Sequence, residues 1–533
     1  MINQRSLTGR DFAGLLVLFG VAASLRVYAW HQTHVLFNDG PVFLAMAEAI
    51  AEGRLADVLA HPFHPLYPAT IVVFHSLLPL SWESAAVAVS IFGGLLSVGA
   101  VFWFVRRAFD PALGWLAALT VALHPWAVDF SSDVMSDGLY IGLFLVGFAA
   151  LSDWMLRPGV AAAVLVGVAS GLAYLVRPEG VGLAILALVL MVGRAVFMRT
   201  ERRAAVVGAL SLLLPCALVM APLLGALTME QGEITLTRKK SVGALVAGRA
   251  RPEAAPVVAV EVMPEIPLPR SSEKRGGPSE ARPPRTLAGA FDAVSRALRT
   301  SLASFRYEIG AFTLLGLIAL RGRWRPLREA TFFLPGLAYS TVLILLVWGA
   351  GYVARRHALA ALLPLTAYAV LGWRVLCETI LKRRSAAASE GNCDEPEWSG
   401  REQGGKRALG IFVALTLLLT VSWGDRDFRE RREDRAAVRA AAEWLSERGG
   451  AGTFIAAQKL RIAYYAGGTF VPLPSGNDGR IREGLLARGV AWLVIDEVRL
   501  DEHRGLAAGL GDWLQIVHVE ARAGRRALVL ELR

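Results

Sequence analysis

Asp39 lies in the stretch Phe37-Asn38-Asp39-Gly40-Pro41, ahead of an amphipathic segment over 42–59. A lone acid in such a place either caps a helix or sits in a solvated loop. Beside a substrate hydroxyl it takes a proton or orients the attacking oxygen. Asp129, Asp133 and Asp137 follow one another at spacings of four. On one helix they would share a face and repel. They read either as a solvated turn with Asp137 capping the next helix, or as acids that position a substrate hydroxyl or a phosphate-bound metal.

The run His61-Pro62-Phe63-His64-Pro65-Leu66-Tyr67-Pro68 is stiffened by proline until Tyr67. It presents His61, His64 and Tyr67 either to a sugar or phosphate or as an aromatic anchor at a membrane surface. No Cys or third His stands nearby to complete a metal site. Arg177-Pro178-Glu179-Gly180 forms a tight turn with a built-in ion pair, and Arg355-Arg356-His357 carries two adjacent guanidiniums. Guanidinium matches phosphate geometry in a way that ammonium does not. Arg26 has the same chemistry, or it snorkels from a helix end.

These groups hang on an apolar scaffold. The chain has 533 residues, of which 54% are hydrophobic, and its mean hydropathy is +0.46. Soluble domains are about 45–50% apolar. The excess falls in nearly uncharged blocks of roughly 20 residues, the length that crosses about 30 Å of hydrocarbon as a helix. Eleven spans are expected, over 11–30, 85–105, 112–128, 135–152, 160–176, 180–198, 205–227, 302–320, 331–349, 357–378 and 407–424. Val21-Ala22-Ala23 is a weak signal-peptide cleavage site, but the apolar stretch runs on to Trp30 and favours an uncleaved first span. The shorter apolar stretch 66–80 reads as an interfacial or re-entrant helix.

The net charge of +11 does not point to nucleic acid. With the N-terminus cytoplasmic, the inside segments collect Arg5, Arg10, Arg106, Arg107, Arg157, Arg194, Arg199, Arg202, Arg203, Arg321, Arg323, Arg325, Arg328, Lys382, Arg383, Arg384, Arg401, Lys406 and Arg407. The short outside loops carry only Arg54, Arg177, Arg355 and Arg356. This is the positive-inside pattern. It places 31–84, 228–301 and the tail 425–533 on the outer face. Residues 262–286 are proline-rich and read as extended or disordered. The 382–407 stretch reads as a flexible connector. The tail shows a helical pattern over 435–448 and strand patterns over 453–457, 490–495 and 526–532, enough for one small α/β domain. Tyr464-Tyr465-Ala466-Gly467-Gly468 reads as core and turn. Cys216, Cys377 and Cys393 suggest no disulfide framework, and no Gly-rich nucleotide fingerprint occurs in a strand–helix context.

Taken in order, several pieces resemble the bacterial GT-C glycosyltransferases: the acid after span one, Pro65-Leu66-Tyr67-Pro68, Met135-Ser136-Asp137-Gly138-Leu139-Tyr140, Arg177-Pro178-Glu179-Gly180, and Arg355-Arg356-His357 with Ala361-Leu362-Leu363-Pro364. Protein O-mannosyltransferase-like enzymes and the lipid A aminoarabinose or galacturonic acid transferases are among them. The resemblance spans roughly residues 10–378. It implies a multi-pass α-helical membrane enzyme, here a module over 1–424 followed by an α/β domain over 425–533, in a bacterial inner membrane with the tail periplasmic. It further implies a polyprenyl-phosphate sugar donor and a lipid, glycan or protein acceptor, with no nucleic acid partner.

By the same resemblance Asp39 and Asp137 take the catalytic acid positions. From their chemistry and placement, Arg26, His61, His64, Tyr67, Asp133, Arg177, Arg355 and Arg356 are the substrate-binding candidates. Many members carry Asp-Glu in the first loop, whereas Gly40 follows Asp39 here, so no metal or other cofactor is expected. A flippase for lipid-linked glycans is the alternative, but it needs polar residues along the midplane of several spans, and these spans are poor in them. A membrane scaffold whose tail binds a partner would leave the outside acids unexplained.

Overall fold

A computed structural model describes residues 8–238, 286–322, 324–351, 353–389, 400–473, 478–500 and 503–533. Helices dominate up to Asp427. In chain order they are α1 (Gly9–His31), α2 (Gly40–Ala51), α3 (Leu55–Ala60), α4 (Leu66–Leu77), α5 (Trp82–Ala108), α6 (Pro111–Leu123), α7 (Pro125–Phe130), α8 (Ser136–Leu156), α9 (Val160–Val176), α10 (Val181–Phe197), α11 (Arg202–Gln231), α12 (Leu287–Phe305), α13 (Tyr307–Ala319), α14 (Pro326–Ala350), α15 (Arg355–Leu362), α16 (Thr366–Ser389) and α17 (Gly400–Asp427). Among the described residues, eight helical segments are long and apolar enough to cross a membrane, and nine if α12 and α13 count as one bent span. The protein is an integral membrane protein.

All eleven expected spans fall on helices, with three differences. The stretches 112–128 and 160–176 correspond to helices of only 13 and 17 residues. His124, extended and followed by Pro125, breaks the first of these into α6 and α7. The stretch 302–320 is not one span. Helix starts earlier, at Leu287, and turns through 92° between α12 and α13. Arg306 makes that turn with φ 68°, a left-handed conformation that a helix interior cannot hold. Residues 382–389 continue α16 and 400–407 open α17, so helix occupies most of the expected connector. The proline-rich 262–285 and residues 390–399 lie outside the described residues.

Helix α5 approaches α8 closely, and the closeness comes from missing side chains. A Cβ placed on Gly93 would lie 2.4 Å from the backbone of Gly138 and Leu139, and one on Gly142 would lie 2.4 Å from the Gly93 carbonyl oxygen. Small residues allow such approach where lipid supplies no hydrophobic drive between helices. Beside this seam Phe104, Phe148, Phe332 and Tyr368 form a buried edge-to-face cluster joining α5, α8, α14 and α16. The seam also fixes the first turn of α8, which carries Asp137.

After α17 the chain folds back as a three-layer α/β unit. Helix α18 (Ala436–Leu445) precedes β1 (Phe454–Ala457), and α19 (Leu460–Tyr465) precedes β2 (Thr469–Pro472); β3 (Val490–Asp496), β4 (Leu514–Arg522) and β5 (Arg525–Leu532) complete one sheet. Its order is β2-β1-β3-β5-β4. The first three strands are parallel, and β5 runs antiparallel to both β3 and β4. Ala441, Ala442 and Leu445 of α18 pack on Ile455, Val494 and Val529. Ile481, Leu485 and Leu506 cover the opposite face. The expected tail helix and three strands are present; β2 and β4 are additions.

Gly93→Val should overpack the α5–α8 seam. We expect a loss of at least about 1–3 kcal/mol, read as a lowered thermal midpoint in detergent, with Gly193→Ala, where an added Cβ meets nothing within 4 Å, as the tolerated control.

Candidate active site

Four segments converge at one end of the helix bundle. Asp39 precedes α2; its side chain makes no capping hydrogen bond to the helix, so the capping reading does not account for it. Asp137 stands in the first turn of α8. Arg177 ends α9 and leads through the Pro178–Gly180 turn into α10. Arg356 lies in the first turn of α15.

One nitrogen joins the two acids. Nη1 of Arg356 lies 3.3 Å from Oδ2 of Asp39 and 3.8 Å from Oδ2 of Asp137. Arg177 Nη1 donates to the other Asp137 oxygen at 2.7 Å, and its Nη2 approaches Glu179 at 3.5 Å. Burial opposes the charge on Arg177. Asp137 and Glu179 outweigh it and hold the arginine pKa above its ordinary value. Tyr140 lies under the Arg177 guanidinium at 5.7 Å and meets the hydroxyl of Tyr339 at 3.5 Å.

The two acids differ in access. The Asp39 side chain is 30% exposed and the Asp137 side chain 4%. Asp39 can therefore meet an incoming hydroxyl. Asp137 is walled in and sets the positions of Arg177 and Arg356.

The three aspartates 129, 133 and 137 do not share a helix face. Asp129 is in α7, Asp133 in the turn after it and Asp137 in α8, and each faces its own arginine. Asp129 pairs with Arg426 at 2.8 Å and Arg431 at 2.9 Å. Asp133 pairs with Arg432 and accepts from the Phe37 amide at 3.4 Å.

The first loop is held from the tail side. Arg432 also donates to the Val35 carbonyl. Arg461 donates to the Leu36 carbonyl at 3.0 Å, and the Leu36 amide donates to the Tyr465 hydroxyl at 2.8 Å. Burial, with Arg435 and Arg432 nearby, pulls the Arg461 pKa down to about 9, and burial pushes Tyr465 up to about 12. Phe37 faces the guanidiniums of both Arg356 and Arg432, at 5.2 and 5.7 Å.

The other expected substrate residues lie elsewhere. Arg26 is fully buried and bonds Ser131 at 2.7 Å and the carbonyls of Ala22 and Ala122. Tyr67 is fully buried, its hydroxyl on Ser90 and the Ala86 carbonyl. His64 donates from Nδ1 to the Tyr174 carbonyl at 2.5 Å, and His61 accepts from the Phe63 amide at 3.1 Å. Arg355 turns away from its neighbour Arg356 and lies over Trp126 at 4.4 Å.

Sequence reasoning missed Arg432, Arg461 and Tyr465. The run Arg426, Arg429, Arg431, Arg432, Arg435 just after the last span is a signal that would have pointed to the first of them. It puts positive charge on the same side as Asp39, against the inside bias of the other loops.

Arg177→Ala would leave Asp137 buried with its closest partner gone, so we expect a loss of about 3–5 kcal/mol. Arg356→Ala removes the partly exposed pair with Asp39 and the longer 3.8 Å contact to Asp137, which keeps its closer partner Arg177, so it should cost less than Arg177→Ala. Thermal unfolding of the two purified variants checks the contrast.

No family model and no curated protein matches the chain. Solved structures do. The crystal structure of ArnT from Cupriavidus metallidurans bound to undecaprenyl phosphate superposes with a TM-score of 0.55 at 15% identity, over 97% of this chain and 98% of that one. The Archaeoglobus fulgidus oligosaccharyltransferase in its apo form gives 0.54 at 12% identity, over 91% and 70%. The same enzyme in complex with Zn and sulfate gives 0.55 at 13% identity, over 91% and 68%. With its helical bundle and small C-terminal sheet, the chain has the fold of the GT-C glycosyltransferases.

Proposed function

We propose that this protein is a membrane glycosyltransferase that moves a sugar from a polyprenyl-phosphate donor to a hydroxyl of a lipid, glycan or protein acceptor. The observation that carries this reading is the Arg356 guanidinium set between a partly exposed acid, Asp39, and a buried one, Asp137. The ArnT structure, similar in fold, is bound to undecaprenyl phosphate, the lipid phosphate such a donor leaves behind.

The step balances with the residues present. The acceptor oxygen attacks the anomeric carbon and forms the new glycosidic bond. Its proton passes to the Asp39 carboxylate. The bond from the anomeric carbon to the phosphate oxygen breaks, and that oxygen leaves with the electron pair. Arg356, seconded by Arg177, faces the growing negative charge. Asp137 touches neither partner in this scheme; it keeps both guanidiniums in place.

Asp39 and Asp137 both face the Arg356 guanidinium, and Gly40 rather than a second acid follows Asp39. No step above runs through a divalent cation.

We assign the reaction to the periplasmic face of a bacterial inner membrane, with the N-terminus cytoplasmic. Support comes from the ion pairs at the opposite helix ends. There Arg106 meets Asp11 at 3.4 Å, Arg107 meets Asp153 at 2.9 Å and Arg374 meets Asp110 at 2.6 Å. Those ends carry the basic loops that the positive-inside rule puts in the cytoplasm.

Asp39→Asn in proteoliposomes should lower sugar transfer by about 10²–10⁴-fold while the size-exclusion profile stays that of the wild type. Arg356→Ala should lose about 10²–10³-fold. Full transfer by Asp39→Asn would sink the assignment.

A further inference from the structure

Helix α12 is built differently from the spans around it. Leu287, Phe291, Val294, Leu298 and Leu302 are exposed, Leu287 by 77% and Phe291 by 69%. Their spacings of four, three, four and four make one continuous stripe. The opposite side carries Ala293 and Ala297, which pack on Leu343 and Val347 of α14 and Ala358 of α15. Asp292, Ser295, Arg296 and Arg299 stand between the two faces and bond among themselves.

The helix sits at 92° to α13. α13 is apolar and packs along α16, part of the membrane-crossing segment Arg355–Leu381. A helix at right angles to one that follows the bilayer normal lies along the surface. An apolar stripe with a polar back in that position is the pattern of an interfacial helix.

The last turn of α12 is tied to the arginine turn. The Ser304 hydroxyl donates to the Arg355 carbonyl at 2.8 Å, and the Trp126 indole donates to the Ala303 carbonyl at 3.0 Å. Arg355 is exposed and makes no ion pair among the described residues. Its guanidinium shares the Trp126 ring with that of Arg426, which lies 3.5 Å from the ring centroid and is already paired with Asp129. Arg306, the next cation along, is paired with Glu308 at 2.8 Å. Arg355 is thus a cation with no ion pair among the described residues, set over an indole with Arg426 and Arg306 nearby. A phosphate is the anion that a headgroup layer supplies.

We propose that α12 lies in the headgroup layer on the Asp39 side with its 287–302 stripe among the acyl chains, and that Arg355 there holds the phosphate of a bilayer phospholipid. The adjacent arginines then serve different ligands: Arg356 faces the two acids and Arg355 faces the membrane. This goes beyond sugar transfer and stands or falls without it.

The test uses the full chain with Cys216, Cys377 and Cys393 replaced by serine, carrying one nitroxide at a time and reconstituted in vesicles containing phosphatidylglycerol. Labels at 287, 291, 294, 298 and 302 should favour collisions with oxygen, and those at 292, 295 and 299 collisions with a water-soluble nickel chelate. A stripe open to nickel, or closed to both quenchers as under a protein partner, overturns the surface placement.

Native mass spectrometry then reads phosphatidylglycerol retention. Arg355→Ala should weaken it by about five-fold, and Arg355→Lys should keep most of it. Unchanged retention in Arg355→Ala, or displacement of phosphatidylglycerol by equimolar undecaprenyl phosphate, overturns the phosphate assignment.

Discussion

The site rests on one shared cation. Arg356 faces Asp39 and Asp137 together, and those residues come from segments far apart in the chain. A buried carboxylate is tolerated only with its charge matched and its oxygens bonded. Arg177 hydrogen-bonds one Asp137 oxygen at 2.7 Å, and the charge of Arg356 stands 3.8 Å from the other. The demand passes outward from there. Arg177 must end α9, Arg356 must open α15, and α8 must start where Gly93 and Gly138 let it approach α5. What remains unsatisfied is the outer side of Asp39, the part a substrate can reach.

The C-terminal unit belongs to the same network rather than standing apart from it. Arg432, Arg461 and Tyr465 hold the backbone of residues 35–36, three to four residues before Asp39. Arg431 adds a short parallel bridge to Thr33. The loop is held by burial of Val35 and Leu36 together with these hydrogen bonds from the tail.

Much of this was legible in the chain. The apolar blocks marked every span because a helix crossing lipid must be apolar along its length. Asp39, Asp137, Arg177 and Arg356 stood out because charge beside such blocks is rare. Three features did not show. The break at α12–α13 was hidden because hydropathy records apolarity and not direction, so an interfacial helix joined to a span reads as one late span. The pairing of Asp129, Asp133 and Asp137 with separate arginines depends on the His124-Pro125 break and the turn at 131–135, which spacing alone does not reveal. Arg461 and Tyr465 looked like core of a small domain because their partner, the first loop, is more than 400 residues away. In the sheet, β2 is only four residues long and β4 is exposed at the edge, so neither shows a clear alternation. His61, His64 and Tyr67 drew attention by type. The fold uses His64 and Tyr67 to bond neighbouring helices, and His61 to bond its own turn.

The central claim is that the acid–arginine cluster acts on a lipid-phosphate-linked sugar. The most direct measurement supplies the purified wild-type protein with a panel of radiolabelled polyprenyl-phosphate sugars in proteoliposomes and follows label into acceptor together with release of the polyprenyl phosphate. Transfer from at least one member, with one lipid phosphate released per sugar moved, is the expected result. Transfer from nucleotide sugars alone, or movement of the intact lipid-linked sugar across the membrane with no bond broken, would contradict it.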